Sequence, residues 1–520
     1  MPSRSAFTPG WLSVLAVGTV IAFAAVAIST GVDFADSDQP QLLPASVTIT
    51  GGEASSVVPR SYLGVSTEYW TLPLYASRMA AFERILSLLR VPGDGPLVLR
   101  FGGDSADHSF WEPRLTTLPR WAFALTPQWL RLAGLLTRRL SLRLIIDLNL
   151  VTDSPSTAVR WARAAHASLP RGSIIGFEVG NEPDFYNYPF WTAMTSGTLI
   201  GGRALPAAVT PASYVADFRQ YAAALRRVAP RVPLIGPALG NPHTHERWIT
   251  ALLASHQPAL GTVSVHRYPY GACVARRSAS FPTITRLLSE RASAGLAASV
   301  ALAVQAAHRA GRPLRLTELN SVSCSGRPGV SDTFASALWA PDALFELLRA
   351  GVDGVNLHLR ADPINAPFAI SARGLIARPL LYGLIMFART LSSSPRLVEL
   401  DLHAATAPHL KAWAVKTAGD QLHVLLINKG TRTARVILQL PASGPAALQR
   451  LLARSARSRF GVTLDGQRLG PDGIWQGPRS SETISRSKRG YTLIVPRLSA
   501  ALLSVRLDPG ALDKHTPTRP

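Results

Sequence analysis

From about residue 60 to residue 392 the chain repeats one pattern eight times. A short, β-branched or apolar segment is followed by a longer one with apolar residues at three- and four-residue spacing. The short segments are SYLGVSTEYW (61–70), PLVLRFGGDSAD (96–107), LRLIIDLNLV (142–151), IIGFEVGNEPD (174–184), PLIGPALG (233–240), LGTVSVHRYPY (260–270), LRLTELNSVS (314–323) and GVDGVNLHLR (351–360). The longer ones cover 76–90, 127–140, 156–169, 212–229, 245–256, an Ala-rich stretch at 285–310, 331–351 and 378–391. Eight strand–helix pairs in about 330 residues predict a (β/α)8 TIM barrel. An open doubly wound sheet is the competing arrangement, but its usual G-x-G-x-x-G turn is missing from the sequence. Pro341, inside the seventh helix, is expected to kink or interrupt it.

After the barrel (60–392) the texture changes. LHVLLINKG, ARVILQLPAS, GYTLIVPRL and ALLSVRL read as strands separated by turns, predicting an all-β sandwich over 393–508 and a flexible tail at 509–520. Residues 36–59 read as a linker carrying one strand, SVTITGG (46–52), that can join the sandwich. Residues 1–35 read as a targeting segment: Arg4 precedes an apolar run at 11–28, with Ala24, Ala25 and Ala27 near its end. Both a cleaved signal peptide and an uncleaved membrane anchor fit this run. Either makes the rest of the chain secreted or extracytoplasmic and membrane-anchored. In an oxidising compartment the two cysteines, Cys273 and Cys324, are expected to form one disulfide, with two separate buried thiols as the alternative. Two cysteines alone cannot make a zinc site.

The formal charge is +22 in 520 residues, carried mostly by Arg. Such a surface attracts polyanions, among them acidic polysaccharide. No helix-turn-helix, zinc-finger, RNP or basic-zipper pattern is present, so nucleic acid is not an expected partner. The His243–Glu246 cluster lacks H-E-x-x-H spacing. Asp33, Asp36 and Asp38 lack the Gly and Glu of a calcium loop, and GGDSAD lacks the second Gly of G-x-S-x-G. No metal or cofactor is expected.

In a TIM barrel the chemistry sits at the C-terminal ends of the strands. That rule separates the two glutamates of GFEVGNEPDF. Glu178 lies in the strand body, suited to an internal ion pair with Arg100. Glu182 lies at the strand's end, where Pro183 stops it. Glu318, near the end of the seventh strand, can face Glu182 across the mouth. Two opposed carboxyl groups are the minimum for glycoside hydrolysis, one as proton donor and one as nucleophile. Asp104, Asp107, His266, Arg267, Tyr268, Asn356, His358 and Arg360 fall on other strand ends. Trp70, Trp111 and Tyr186 are candidate sugar-stacking rings.

The NEP triplet on strand four, paired with a Glu on strand seven, resembles the clan A retaining glycoside hydrolases. LRFGGDSAD, GFEVGNEPD, VHRYPYGAC, LTELNSVSCSG and VSDTFASALWAPDAL narrow the resemblance to glycoside hydrolase family 79, the heparanase and β-glucuronidase family. The resemblance covers the barrel and implies a C-terminal β-sandwich, a glycan or glucuronide substrate and a covalent glycosyl–enzyme intermediate. It implies Glu182 as acid/base, Glu318 as nucleophile, Asn181 as a ligand of the sugar 2-hydroxyl and Tyr268 as the residue that orients Glu318. It implies Asp107 as a ligand of sugar hydroxyls, and Ser325 and Gly326 as uronate-carboxylate ligands. Ser323 and Leu357 stand where the family often has Tyr. Arg267 stands where a His is common and is a candidate carboxylate partner. A Cys273–Cys324 bridge would tie together the loops after strands six and seven. The alternatives are a clan A β-glycosidase acting on neutral sugars such as xylosides or glucosides, and a non-catalytic polysaccharide-binding barrel.

Overall fold

The eight short segments hydrogen-bond into a closed, all-parallel barrel in the computed structural model. The model describes residues 42–50, 56–111, 121–152, 154–188, 209–360, 363–404 and 409–511. The apolar run at 11–28 and the tail from 512 lie outside the described residues. The barrel strands are β1 (Leu63–Thr67), β2 (Val98–Phe101), β3 (Arg143–Leu148), β4 (Ile174–Val179), β5 (Leu234–Leu239), β6 (Leu260–Arg267), β7 (Leu314–Leu319) and β8 (Gly354–His358). They are buried on both faces, which is why they read as short apolar runs rather than as alternating patterns.

Helix starts follow local chemistry. Thr126-Pro127, Ser154-Pro155 and Thr210-Pro211 each place a capping hydroxyl directly before a proline at the first helical position. Proline costs nothing there, because its missing N–H has no intrahelical partner to lose. Of the two outcomes expected at Pro341, an interruption does not occur: one helix runs from Phe334 to Arg349 through it. Proline removes the N–H that would bond the Ala337 carbonyl. Gly383 of the helix Pro379–Leu391 packs directly on that carbonyl, where a Cβ would come within 2.3 Å of the oxygen.

Beyond the barrel lie two larger sheets, besides short two-stranded ones. The smaller has the order Leu400–Ala404, Leu43–Ile49, Ala434–Gln439, Tyr491–Val495. Its second strand comes from the N-terminal side and runs parallel to Ala434–Gln439. The larger sheet centres on Leu410–Thr417, Gln421–Asn428, Ser499–Arg506 and Ala446–Leu452. Alternation along Gln421–Asn428 explains its unbroken apolar run. Val424 and Leu426 pack with Val47, Val436 and Leu493 of the smaller sheet. Leu425 and Ile427 join the barrel's own core. Phe345 of the Pro341 helix stacks on Trp413 of the larger sheet, with centroids 5.2 Å apart. Residues from 42 onward therefore form one compact unit of barrel and sheets. Among them no helix is long and apolar enough to cross a membrane.

Candidate active site

The polar groups at the barrel mouth are organised from below by Arg100 on β2. Its guanidinium is fully buried and contacts Glu178 (β4), Asp147 (β3) at 2.8 Å, Glu318 (β7) at 3.1 Å, Asn181 at 3.0 Å and Ser66 (β1) at 3.2 Å. Gly102 makes room for it, since a Cβ there would stand 2.6 Å from Cζ. Glu178 also accepts from the Thr317 hydroxyl at 2.8 Å and has no exposure, matching the structural role read from its mid-strand position.

Glu182 leaves the strand in the left-handed region, at φ 51°, after Gly180 at φ 79°. Its N–H donates to the Ala238 carbonyl at 3.0 Å, and Pro183 starts a short 3-10 turn. A Cβ at Gly240 would meet the Glu182 carboxyl carbon at 2.8 Å, so that glycine leaves the carboxyl its place. Glu318 accepts from the Tyr268 hydroxyl at 2.6 Å, and His358 Nδ1 lies 3.4 Å from its other oxygen. An oxygen of Glu182, an oxygen of Glu318 and a ring nitrogen of His266 all lie within 4.8 Å of one another. His266 Nδ1 is 3.1 Å from Glu182.

The two carboxyl groups are pushed in opposite directions. Glu182 is raised well above the usual carboxyl range by burial, then by the negative charges of Glu318, Asp104 and Asp184, with Arg100 opposing. Glu318 is lowered to about 2: burial alone would raise it, but His358, His266, Arg100 and the Tyr268 hydrogen bond outweigh that. Burial lowers His266 itself to about 4, so at neutral pH an uncharged ring faces Glu182 and does not pull its proton away. The pair is thus split, with proton binding favoured on Glu182 and the charged form favoured on Glu318. Glu182, His266 and Glu318 also have metal-ligand spacing.

Other expected residues divide. Tyr268 stands beside Glu318 and donates to it. Asn181 presents its amide nitrogen 3.5 Å from Asp104 while Arg100 holds its oxygen. Asp107 does not reach the cleft, contrary to the expectation. It has no exposure, and its oxygens accept from Leu150 N, Val151 N, Asn181 N and the Tyr186 hydroxyl. The chain leaves β2 through Gly103 at φ 79° and coils into a 3-10 turn (Asp104–His108), so strand alternation no longer sets the direction of residue 107. Asp104 is the carboxyl left open to the mouth, pushed up to about 7 by desolvation and by Glu68 and Glu318. Tyr186 is buried against Asp107, and Trp111 stacks on Trp161, so neither ring is free for a sugar in the expected way. Arg267 turns outward to Ser299 at 2.8 Å rather than into the site. Leu357 is buried in the core, on the strand face opposite Asn356 and His358.

Cys273 and Cys324 are bonded to each other. Beside them Tyr270–Gly271 pairs in parallel with Val322–Ser323, so the loops after β6 and β7 are joined twice. Ser325 is exposed at φ 65°, and Gly326 follows at φ 83°, with Asn365 atoms 2.7 and 2.8 Å from where a Cβ would stand. The Gly326 N–H is used internally, donating to the Ser323 carbonyl at 3.3 Å. Glu68, at the end of β1, was not singled out from sequence. It accepts from Ser105 N at 2.8 Å and lies 3.6 Å from His358. Its position at a strand end was the available signal.

No family model matches the chain. It is 24% identical to a β-glucuronidase of Aspergillus niger, across 86% of this chain and 83% of that protein. A β-glucuronidase of Neurospora crassa is 26% identical across 31% of this chain and 37% of its own length. Among solved structures, a 4-O-α-L-rhamnosyl-β-D-glucuronidase from Fusarium oxysporum superposes with a TM-score of 0.71 at 17% identity, covering 88% of this chain and all of that one. A family 51 arabinofuranosidase from Xanthomonas axonopodis does so with a TM-score of 0.62 at 14% identity, over 89% of this chain and all of its own. These structural likenesses establish the TIM-barrel fold, and together with the curated relatives they support a glycoside hydrolase. The disulfide is compatible with an extracellular location.

Proposed function

We propose that this chain is a retaining β-glucuronidase of the family 79 type, with residues 60–392 as its catalytic barrel and 393–508 as an accessory β-sandwich. The observation that carries the chemistry is that one oxygen of Glu182 and one of Glu318 lie within 4.8 Å of each other, while their pKa values are pushed in opposite directions. Retaining glycosidases place their carboxyl groups about 5–5.5 Å apart, whereas inverting ones leave about 6.5–9.5 Å for a water. The glucuronide assignment is supported by the curated relatives and by the sequence motifs.

In this mechanism the Glu318 carboxylate attacks the anomeric carbon while Glu182 gives its proton to the glycosidic oxygen. The aglycone leaves as the alcohol, and a glycosyl ester forms on Glu318. The negative charge that helped keep Glu182 protonated is then gone, so its pKa falls and it can take a proton from water. That water attacks the anomeric carbon, releases Glu318 as carboxylate and returns the proton to Glu182. Asn181, with its oxygen held by Arg100, turns its NH2 toward the sugar 2-hydroxyl. Ser325, on the disulfide-tied loop, contributes to holding the uronate carboxylate. Gly326 contributes the turn that presents Ser325, since its own amide is occupied.

The test is release of p-nitrophenol from the β-glucuronide, β-glucoside and β-xyloside by the native chain, Glu182→Gln and Glu318→Gln. Activity on the glucuronide is expected to collapse in Glu318→Gln and to fall in Glu182→Gln, where the good leaving group spares the first step but deglycosylation has lost its base. Full activity in either variant removes the mechanism. Cleavage of the glucoside or xyloside but not the glucuronide removes the uronate assignment and leaves the mechanism standing.

A further inference from the structure

The end of the barrel opposite the catalytic pair carries two grooves with an unusual lining. The first, about 870 Å³, runs beneath the N-terminal ends of β2, β3 and β4. Arg60, Arg90, Arg138, Arg143 and Arg171 line it, with no acidic residue and no aromatic ring. All five are exposed, and among the described residues none is in an ion pair with a carboxylate. Arg60 and Arg143 each spend one donor on a backbone carbonyl, of Asp94 and Gly172, which fixes the direction of the guanidinium and leaves its other N–H groups free. Asp94, beside Arg60, is itself buried and turned to the Ser61 amide. The second groove, about 550 Å³, continues the arc beneath β5, β6 and β7, with Arg226, Arg231 and Arg312 among its residues and again no acidic or aromatic side chain.

We propose that this arginine-lined arc is a non-catalytic binding site for an acidic polysaccharide, which tethers the enzyme to polymer while the mouth stays free. The barrel strands separate the two ends by about 20 Å, so a chain held here does not block Glu182 or Glu318. Concave grooves suit a single polymer strand better than a flat lipid surface. The lack of rings argues against nucleic acid, which single-strand binders hold by stacking bases on aromatics. Arginine's planar fork matches carboxylate and sulfate groups in pairs. Carboxylated glycan as the occupant, rather than another polyanion, rests on the glucuronidase reading; the charge complementarity does not.

The experiment measures binding of fluorescein-labelled alginate by anisotropy at stepped salt. It compares the native chain, the groove variant Arg90→Ser/Arg138→Ser/Arg171→Ser, and a charge-matched control, Arg454→Ser/Arg457→Ser/Arg489→Ser, on exposed sandwich loops. The groove variant is expected to bind on the order of 10- to 100-fold more weakly at low salt, with a shallower salt dependence. Its thermal midpoint and its activity on an aryl glycoside are expected to be unchanged. Equal weakening in the control overturns the proposal, because net charge alone would then explain binding. A groove variant that loses phosphatidylglycerol vesicles or single-stranded DNA but keeps alginate overturns the choice of polysaccharide. Should the chain prove inactive on glucuronides, alginate retention that depends on the groove still stands as a separate result.

Discussion

Tyr268→Phe isolates one hydrogen bond to Glu318, the proposed nucleophile. The hydroxyl donates to Glu318 at 2.6 Å, and burial together with the Glu318 charge keeps Tyr268 protonated far above neutral pH, so it acts only as a donor. Phenylalanine fills the same space without the hydroxyl. A hydrogen bond to a charged acceptor is worth about 1.5–3 kcal/mol, and one pKa unit is about 1.36 kcal/mol, so its loss raises Glu318 by roughly 1–2 units from its value of about 2. Arg100 at 3.1 Å remains, and His266 becomes a cation below about pH 4; both keep the shift toward the low end. In the proposed mechanism Glu318 must be ionised to attack, so activity is lost as pH falls through its pKa. The acid limb of kcat/KM therefore moves upward, to around pH 3–4. The assay is kcat/KM against pH on one aryl glycoside for both proteins, so any titration of the substrate cancels in the comparison. The sign also holds for stability. A depressed carboxyl stabilises the fold above its unfolded pKa and loses that contribution as pH falls through its folded pKa, so the variant should lose it at higher pH. An acid limb that coincides in the two proteins would refute the claim that this hydrogen bond holds the nucleophile's charge.

Glu182→Gln should remove the alkaline limb, which marks loss of the acid's proton as pH rises, and should cost about 10²–10⁴ in rate on aryl glycosides with poor leaving groups; a retained alkaline limb would assign the acid elsewhere. Asp107→Asn should lower the urea midpoint by the equivalent of about 1–3 kcal/mol, because the amide cannot accept all four of the present donors; a raised KM at unchanged stability would restore it as a sugar ligand. Cys273→Ser/Cys324→Ser opens a link across 51 residues, worth up to roughly 4 kcal/mol in chain entropy; a lower thermal midpoint and a KM raised more than kcat is lowered are expected, and unchanged values for both would show that the bridge orders nothing at the mouth.

Much of this molecule is legible in one dimension because its physics is local. Strands buried on both faces must be short and apolar, and helices between them must carry one apolar stripe, so eight repeats can be counted without a structure. The Asn-Glu-Pro triplet marks Glu182 as lying past the end of β4 and leaves Glu178 inside it, although the strand itself ends at Val179, where Gly180 turns at φ 79°. The limits of such reading are equally physical. The period of two fails once the backbone turns at Gly103, and Asp104 rather than Asp107 faces the cleft. Pro341 was expected to kink or interrupt its helix; it does not interrupt it, and Gly383, distant in sequence, packs on the carbonyl the proline leaves without its N–H partner.

The pairing of charges is the part that tertiary structure alone decides. Arg100 gathers Ser66, Asp147, Glu178, Asn181 and Glu318 from four places along the chain; strand position points to the Glu178 pair, but no spacing rule predicts the whole set. The sequence by itself determined which elements form and which carboxyl groups stand at strand ends. Closure of the barrel decided which of them meet. Their pKa values follow from that meeting, because desolvation and Coulomb interactions depend on distance in space, and distance in space is set only when β8 pairs with β1.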